Sequence, residues 1–341
     1  RTAPPPPAPQ ASAPPAPPKL VAAGRVAVVE PPSRIACRFE HMGPLPGTWK
    51  LRLNPSSGAP PYASIAAAKR ASVAFPVGPF ASAFVKIGVG PATVEGWIDA
   101  ADAPLYPQKA EVLGGGVIPM GESAVTVLDG AVDSVHFRAS LDEHANLSPI
   151  ESTLPCAYFG TTPGAFDATS ALPAGQRSRV AVRIGPRPLY KEATGEATLG
   201  TLVGDTAAPY AFSVGASASR TLVAWPAGPS LVFGYMERKD VALGTETKTD
   251  VAVGQKPAIK APPHRETGVA TFREVRCTED LPLVAEVDGN KREIGAISTG
   301  ELFKAGPDVN GFSLVAFPSS DLLTSDAGKL LVATTNLASC K

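Results

Sequence analysis

The chain contains the stretch Val182-Arg183-Ile184-Gly185-Pro186-Arg187-Pro188-Leu189-Tyr190, in which a β-forming segment passes through Gly-Pro into Pro-Leu-Tyr. Val, Ile and Tyr favour strands, and Gly-Pro is typical of a turn. Looser copies of this phrase begin at Leu51, Asp102 and Val275. We align the first of them by matching Leu51-Arg52-Leu53 to Val182-Arg183-Ile184, with Tyr62 in the place of Tyr190. The recurrence predicts several small β modules and not one large domain.

Length and composition agree with an all-β chain. The 341 residues allow two to four domains with substantial cores. Proline and glycine are abundant, with 37 and 32 residues, whereas only 18% of residues are charged. Because Pro and Gly interrupt regular structure, this excess favours short strands joined by many turns.

The charge and hydropathy of the chain exclude two classes of partner. Basic and acidic residues are equal at 31 each, so the chain lacks the basic excess that phosphate neutralisation requires. The most apolar window, residues 112–128, is interrupted by Gly114-Gly115-Gly116, Pro119 and Glu122. It is therefore not the run of about 18 apolar residues that spans a bilayer. We expect no nucleic acid partner and no membrane span.

Short apolar or alternating runs bounded by Gly, Pro, Asn or Asp predict strands along most of the chain. Eight of these runs lie at residues 49–53, 84–87, 125–128, 180–184, 199–203, 222–225, 312–317 and 330–333. Helical patterns are scarce, and only residues 63–71 and 319–325 are predicted to form one or two helical turns.

The strongest internal similarity relates the third and fourth predicted modules. Leu199-Gly200-Thr201-Leu202 matches Ile294-Gly295-Ala296-Ile297, and Leu222-Val223-Ala224-Trp225-Pro226 matches Leu314-Val315-Ala316-Phe317-Pro318. The order and spacing agree with small insertions. The sequence therefore predicts β modules at residues 35–103, 104–172, 173–244 and 267–341, with a linker at residues 245–266.

Residues 1–34 are predicted to form an extended arm. Nine of the first 18 residues are proline, and the others are mainly alanine. This composition favours polyproline II and cannot bury a core. The arm is either a spacer or a segment that docks into a groove on a neighbouring subunit.

A second phrase, Gly234-Tyr235-Met236-Glu237-Arg238-Lys239-Asp240-Val241, has an earlier echo that begins at Gly96-Trp97. Together with Val-Arg-x-Gly-Pro, this phrase resembles bacterial SH3-like domains, most clearly over residues 180–241. The resemblance implies that the first phrase leads into a long hairpin loop and that the second forms the closing strand with a short helical turn. Small immunoglobulin-like sandwiches are the structural alternative.

The resemblance also directs attention to aromatic residues, which commonly anchor binding surfaces. Tyr190 and Tyr235 would line a shallow groove between the hairpin loop and the closing strand, and Trp97 and Tyr106 occupy similar landmarks. The alternative is that these rings fill small cores. A groove of this kind implies cell-wall or glycan binding.

The four cysteines show no metal-binding spacing, so an even, scattered set favours disulfides in an oxidising compartment. Three pairings are open. We prefer Cys277 with Cys340, because they bracket the last module, which leaves Cys37 with Cys156. The alternative is free, buried thiols in a cytoplasmic protein.

Motifs for catalysis, cofactors and metals are not found in the sequence. His41, His136, His144 and His264 lie outside any recognisable zinc spacing, and no Gly-x-Ser-x-Gly elbow or P-loop occurs. His136, His144, Asp142 and Glu143 form the one ionisable group worth testing as a metal site. We expect them to be a strand residue and a charged hairpin tip.

These observations predict a non-catalytic structural or interaction protein of an extracellular or cell-envelope assembly. Its partners would be protein subunits, including copies of itself, which the arm contacts. A wall- or glycan-binding SH3-like protein is the second hypothesis, and a divergent hydrolase is the third. No catalytic residue, cofactor or metal ligand is assigned.

Overall fold

The computed structural model describes residues 26–66, 70–148, 150–174, 178–204, 211–216, 219–243, 272–317 and 322–341. These residues form an all-β structure in which the helical elements are short 3₁₀ turns. Residues 1–25 of the predicted arm and the predicted linker at 245–266 lie outside the described residues.

The segment at residues 35–103 consists of consecutive antiparallel strands and ends in a 3₁₀ turn. Its elements are β1 (Ile35–Met42), β2 (Trp49–Leu51), β3 (Ala63–Ile65), β4 (Arg70–Pro76), β5 (Gly78–Pro79), β6 (Ser82–Val89), β7 (Ala92–Asp99) and η1 (Ala100–Asp102). The helix predicted at residues 63–71 is wrong for its described part. Ala63–Ile65 is a strand whose side chains alternate in burial, because pairing on both of its edges overrides the helix propensity of alanine.

In the segment at residues 104–172, the antiparallel strands are followed by a 3₁₀ turn, a short strand and a second 3₁₀ turn. Its elements are β8 (Tyr106–Pro107), β9 (Val117–Pro119), β10 (Thr126–Ala131), β11 (Ser134–Ala139), β12 (Ala145–Leu147), β13 (Ile150–Pro155), η2 (Cys156–Tyr158), β14 (Phe159–Gly160) and η3 (Ala168–Ala171). β14 pairs with β8, so the end of this segment returns to its beginning.

The segment at residues 173–244 contains both phrases found in the sequence. Its elements are β15 (Ser178–Val182), β16 (Gly185–Tyr190), β17 (Thr198–Gly204), β18 (Ala211–Ala216), β19 (Arg220–Ala227), β20 (Ser230–Glu237), η4 (Arg238–Asp240) and β21 (Val241–Leu243). β16 and β17 form a hairpin directly after β15, and β21 pairs back onto β15.

The last segment is described over residues 272–317 and 322–341. Its elements are β22 (Arg273–Arg276), β23 (Leu281–Val287), β24 (Asn290–Ile297), β25 (Leu302–Val309), β26 (Phe312–Ala316), β27 (Leu322–Thr324), β28 (Gly328–Ala333) and η5 (Thr334–Ser339). The helix predicted at residues 319–325 is wrong for its described part, because Leu322–Thr324 pairs with β3.

The third and fourth segments share one strand order. The third follows β17-β16-β20-β19-β18-β15, and the fourth follows β24-β23-β28-β26-β25-β22. The matched glycines also agree, since Gly200 lies opposite Leu189 and Gly295 lies opposite Leu283, each just before a register shift. The alignment of these two segments predicted from sequence therefore places equivalent residues together.

The sequence alignment of the first segment is wrong by one structural element. Arg52 pairs with Trp97 as Tyr190 pairs with Tyr235, so Leu51-Arg52 occupies the place of Leu189-Tyr190. The sequence pattern instead matches Leu51 to the earlier strand that contains Val182. The strands at Val182 and at Leu189 both alternate apolar and polar residues, and the strand partner that distinguishes them, Trp97, lies 45 residues from Arg52.

Strand pairing crosses the boundaries predicted between modules. A ten-stranded sheet runs from β1 through the β7–β24 contact to β22, and β12 of the second segment pairs with β17 of the third. Strand pairing therefore joins the segments. β24 and β17 would be edge strands within their own segments, and pairing with β7 and β12 covers those edges.

The main core passes through all four segments, and two smaller clusters lie on the opposite faces of its sheets. In β19, Val223 and Trp225 enter the main core, whereas Leu222 and Ala224 enter the second cluster. Burial on both faces explains the uninterrupted apolar run that the sequence shows here.

The base of the predicted arm is packed against its own chain. Val29 is 3% exposed, its amide donates to the Glu293 carbonyl oxygen, and Val26 packs against the cluster that contains Phe312. Val26 and Val29 are therefore held on the last segment, whereas Val28 between them is exposed.

Both disulfides follow the pairing preferred from the sequence. Cys277 bonds to Cys340 and joins the start of the last segment to its end, whereas Cys37 bonds to Cys156 and joins the first segment to the second. All four cysteines are in these bonds.

Candidate interaction site

Tyr190 and Tyr235, the two candidate binding residues of the third segment, lie opposite each other on β16 and β20 and are half-buried. The Arg220 guanidinium lies 3.5 Å from the centroid of the Tyr190 ring. The ring face that was predicted to line a groove is therefore covered by a cation of the same chain.

Arg220 connects three parts of the third segment. Its Nε donates to Glu237 Oε1 at 3.1 Å, and its Nη1 donates to the carbonyl oxygens of Glu192 and Gly195 at 3.2 and 2.7 Å. The two carbonyls lie in the turn between β16 and β17, so Arg220 holds this turn against β20. Because Arg220 is 6% exposed, the arrangement stabilises the fold and does not expose a charge.

Tyr235 packs against the second cluster, beside Leu222, and so it lies over a core. Trp97 is buried, its Nε1 donates to the Glu30 carbonyl oxygen at 3.2 Å, and its ring packs edge-on against Phe84. Tyr106 is half-buried in β8, opposite Gly160. Trp97 in β7 and Tyr106 in β8 thus lie on other strands than the neighbouring pair Tyr190 and Tyr235.

Trp97 also lines a pocket of about 390 Å³ at the base of the segment 26–34. Prolines form much of the wall of this pocket, namely Pro32, Pro55, Pro76 and Pro79.

Next to Trp97 in space, Arg52 makes a bidentate ion pair with Asp99 at 2.9 and 2.8 Å. Burial, and next the nearby Asp99 carboxylate, raise the pKa of Asp102.

A second pocket, of about 310 Å³, lies between the first and last segments. Its polar lining comes from Asn54 on one side and from Asp288, Asn290 and Arg292 on the other. Asp288 has a φ of +50° at the tip of the β23–β24 hairpin. The sequence does not reveal this pocket, because the residues of its two walls are more than 200 positions apart in the chain.

A third pocket, of about 490 Å³, is an apolar groove between the second and third segments. Its large apolar side chains are Met120, Phe166, Phe212, Pro226 and Leu231. None of these residues stands out in the sequence, because each comes from a different strand or loop.

The predicted ionisable group is divided by the fold. His136 Nδ1 lies 3.1 Å from Asp129 Oδ2, and its Nε2 lies 3.7 Å from Glu151 Oε2, both across neighbouring strands. Asp142 instead accepts a hydrogen bond from the backbone amide of His144. Within the described residues, no three His, Cys, Asp or Glu side chains are grouped so that they could hold a metal ion.

His41 is buried between the first and second segments. Its Nδ1 is 3.1 Å from Thr161 Oγ1, and its Nε2 is 3.1 Å from the Pro44 carbonyl oxygen. Both ring nitrogens are therefore in hydrogen-bond contact with groups of the same chain. His264 lies outside the described residues.

Tyr158 is an ionisable residue buried in the second segment. Its ring is 2% exposed, and its hydroxyl has no hydrogen-bond partner among the residues that the structure describes. Burial, and next the Glu111 carboxylate, raise the pKa of Tyr158 from 10.0 to about 12. The neutral hydroxyl is thus buried without compensation.

Replacing Tyr158 by Phe is expected to leave the stability at pH 7 unchanged or to raise it by about 1 kcal/mol, because an unpartnered hydroxyl is removed. The raised pKa stabilises the fold fully below pH 10, and this contribution is lost as the pH rises through 10 towards 12. The wild type should therefore lose about 2–3 kcal/mol over that interval that Tyr158→Phe keeps. Urea unfolding at pH 7, 10 and 11.5 measures the difference; parallel pH profiles would contradict it.

Within the parts of the chain that the structure describes, no helix is long and apolar enough to cross a membrane. No protein-family model, curated protein or solved structure matches this chain.

Proposed function

We propose that this chain is a non-catalytic structural protein that connects protein subunits in an extracellular or cell-envelope assembly. The observation that carries the proposal is the backbone pairing between the first and last segments. β7 pairs with β24 and β3 pairs with β27, and Val29, which precedes the first segment, bonds to Glu293. Pairing at three places favours a scaffold that holds its outer surfaces at set positions.

We also propose that the segments are SH3-like units. The phrase at Val182 precedes the β16–β17 hairpin, and the phrase at Gly234 contains the end of β20, η4 and the start of β21. This order agrees with what the resemblance implies. The repetition of strand and 3₁₀ turn in β7 and η1 supports the same classification for the first segment.

The two disulfides support an extracellular or periplasmic location. Such bonds persist in oxidising compartments and are rare in the cytosol. The Cys37–Cys156 bond also links two segments that the sequence separates, which suits a protein exposed outside the cell.

Glycan or cell-wall binding is the second candidate function, and the polar pocket of about 310 Å³ favours it. Asn54, Asp288, Asn290 and Arg292 offer hydrogen-bond donors and acceptors, and Leu53, Pro60 and Val287 offer an apolar wall. A few polar groups set in an apolar wall are typical of small-ligand sites.

Deletion of residues 1–25 tests the proposed function. The cut precedes Val26 because Val26 and Val29 pack on the last segment. The full chain should form oligomers in light scattering at micromolar concentration, and the shortened chain should be monomeric with an unchanged circular dichroism spectrum. If both forms are monomeric and both sediment with purified peptidoglycan, the assembly role is wrong and glycan binding is favoured.

A further inference from the structure

We propose that the apolar groove between the second and third segments binds residues 4–18 of a second copy of this chain. The inference rests on the proposed function and names the contact that would join the subunits. The groove is defined by Met120, Phe166, Phe212, Pro226 and Leu231.

Backbone hydrogen bonds hold the walls of the groove. The Gly164 amide donates to the Gly121 carbonyl oxygen at 2.8 Å, and the Met120 amide donates to the Pro229 carbonyl oxygen at 3.0 Å. A Cβ atom at Gly121 would lie 2.3 Å from the Gly164 carbonyl oxygen, so the two loops touch. The groove is thus a built feature of the fold.

The groove leaves large apolar side chains accessible. Met120, Phe166, Phe212 and Pro226 are each half-buried, above the buried Leu231. η3 and Leu172 cover the neighbouring part of the same sheet face, which contains Leu222 and Ala224. The described chain therefore covers one part of this face and leaves a groove of about 490 Å³ at the other.

Residues 4–18 match this groove through their prolines, and the basic residues Arg1 and Lys19 flank them. Nine prolines in the first 18 residues favour polyproline II, a conformation that docks into grooves lined by aromatic rings. Residues 1–25 contain Arg1, Lys19 and Arg25 and no Asp or Glu. The charged residues that line the groove are Glu122 and Asp167, both exposed and both acidic.

The length of this segment allows a contact between copies. Residues 26–30 are held on the last segment through Val26 and Val29, whereas the groove belongs to the second and third segments. Fifteen residues of polyproline II extend about 45 Å, which is enough to cross to a neighbouring subunit.

Photo-crosslinking of the full chain tests the contact. A benzophenone amino acid is placed at Gln10, and equal amounts of ¹⁴N- and ¹⁵N-labelled protein are mixed before illumination. We expect crosslinked peptides that join residue 10 to residues 120–122, 164–169 or 212, with mixed isotope labels. Such mixed labels require two copies of the chain.

Two groove variants and two matched controls complete the test. Phe166→Ala should lower the crosslink yield at least about tenfold, because an aromatic anchor is lost. Glu122→Lys should also lower the yield, because its new positive charge would repel Arg1 and Lys19, which flank residues 4–18. Phe272→Ala and Glu301→Lys change an exposed ring and an exposed carboxylate of the last segment and should leave the yield unchanged. Native circular dichroism in all four variants excludes unfolding as the cause.

Three results would overturn the proposal: crosslinks elsewhere, crosslinks within one chain, or equal yields in the groove and control variants. The light-scattering experiment separates these failures from failure of the proposed function. Oligomers that need residues 1–25 but crosslink elsewhere leave the assembly role intact and show that this groove is not the site.

Discussion

Replacing both Cys37 and Cys156 by alanine is expected to lower the free energy of unfolding by about 5 kcal/mol. The bond closes a loop with a sequence separation of 119 residues. Its removal gives the unfolded chain many more conformations, and the chain-entropy relation makes the effect large for a long loop. Cys37 is also 2% exposed, so the bond lies within the packed contact between the first two segments.

The Cys277–Cys340 bond provides the comparison. It closes a separation of 63 residues, so removing it should cost about 4 kcal/mol. Urea unfolding of the two double-alanine variants, followed by fluorescence and circular dichroism, measures both effects. A larger loss for the Cys277/Cys340 pair, or no loss for either pair, would contradict the expectation.

Replacing Gly295 by Val is expected to lower the free energy of unfolding by about 4 kcal/mol, from backbone strain and overpacking together. Gly295 has a φ of +141°, which L-residues rarely adopt. A Cβ atom there would lie 2.0 Å from the Thr93 carbonyl oxygen. β7 would therefore have to leave β24, and the ten-stranded sheet would divide between the first and last segments.

Hydrogen exchange locates this effect. In Gly295→Val, exchange should become faster at the β7–β24 contact, where Ala92, Thr93 and Val94 face Ile297, Ala296 and Gly295. Gly88→Ala is the matched control, because Gly88 is also in a strand and no atom lies within 4 Å of its added Cβ. The control should change stability by less than about 1 kcal/mol. Equal losses in the two variants would refute the steric explanation.

The candidate site was predicted only in part. The sequence pattern indicated Tyr190 and Tyr235, and these residues do face each other on neighbouring strands. No sequence signal indicates Arg220, because the turn at Glu192 that it contacts is distant in the chain. The apolar groove was also missed, because Met120, Phe166 and Phe212 come together through folding.

The sequence by itself determined the strand content, the equivalence of the third and fourth segments, and a preference among the cysteine pairings. These properties depend on local patterns: alternation, turn residues, and the order of matched phrases. Tertiary structure alone decided that Ala63–Ile65 is a strand and that Val26 and Val29 pack on the last segment. It alone joined β7 to β24 across more than 200 residues. The physical reason is that a β-strand forms no backbone hydrogen bonds within itself, so its donors and acceptors need partner strands, and packing across the whole chain selects those partners.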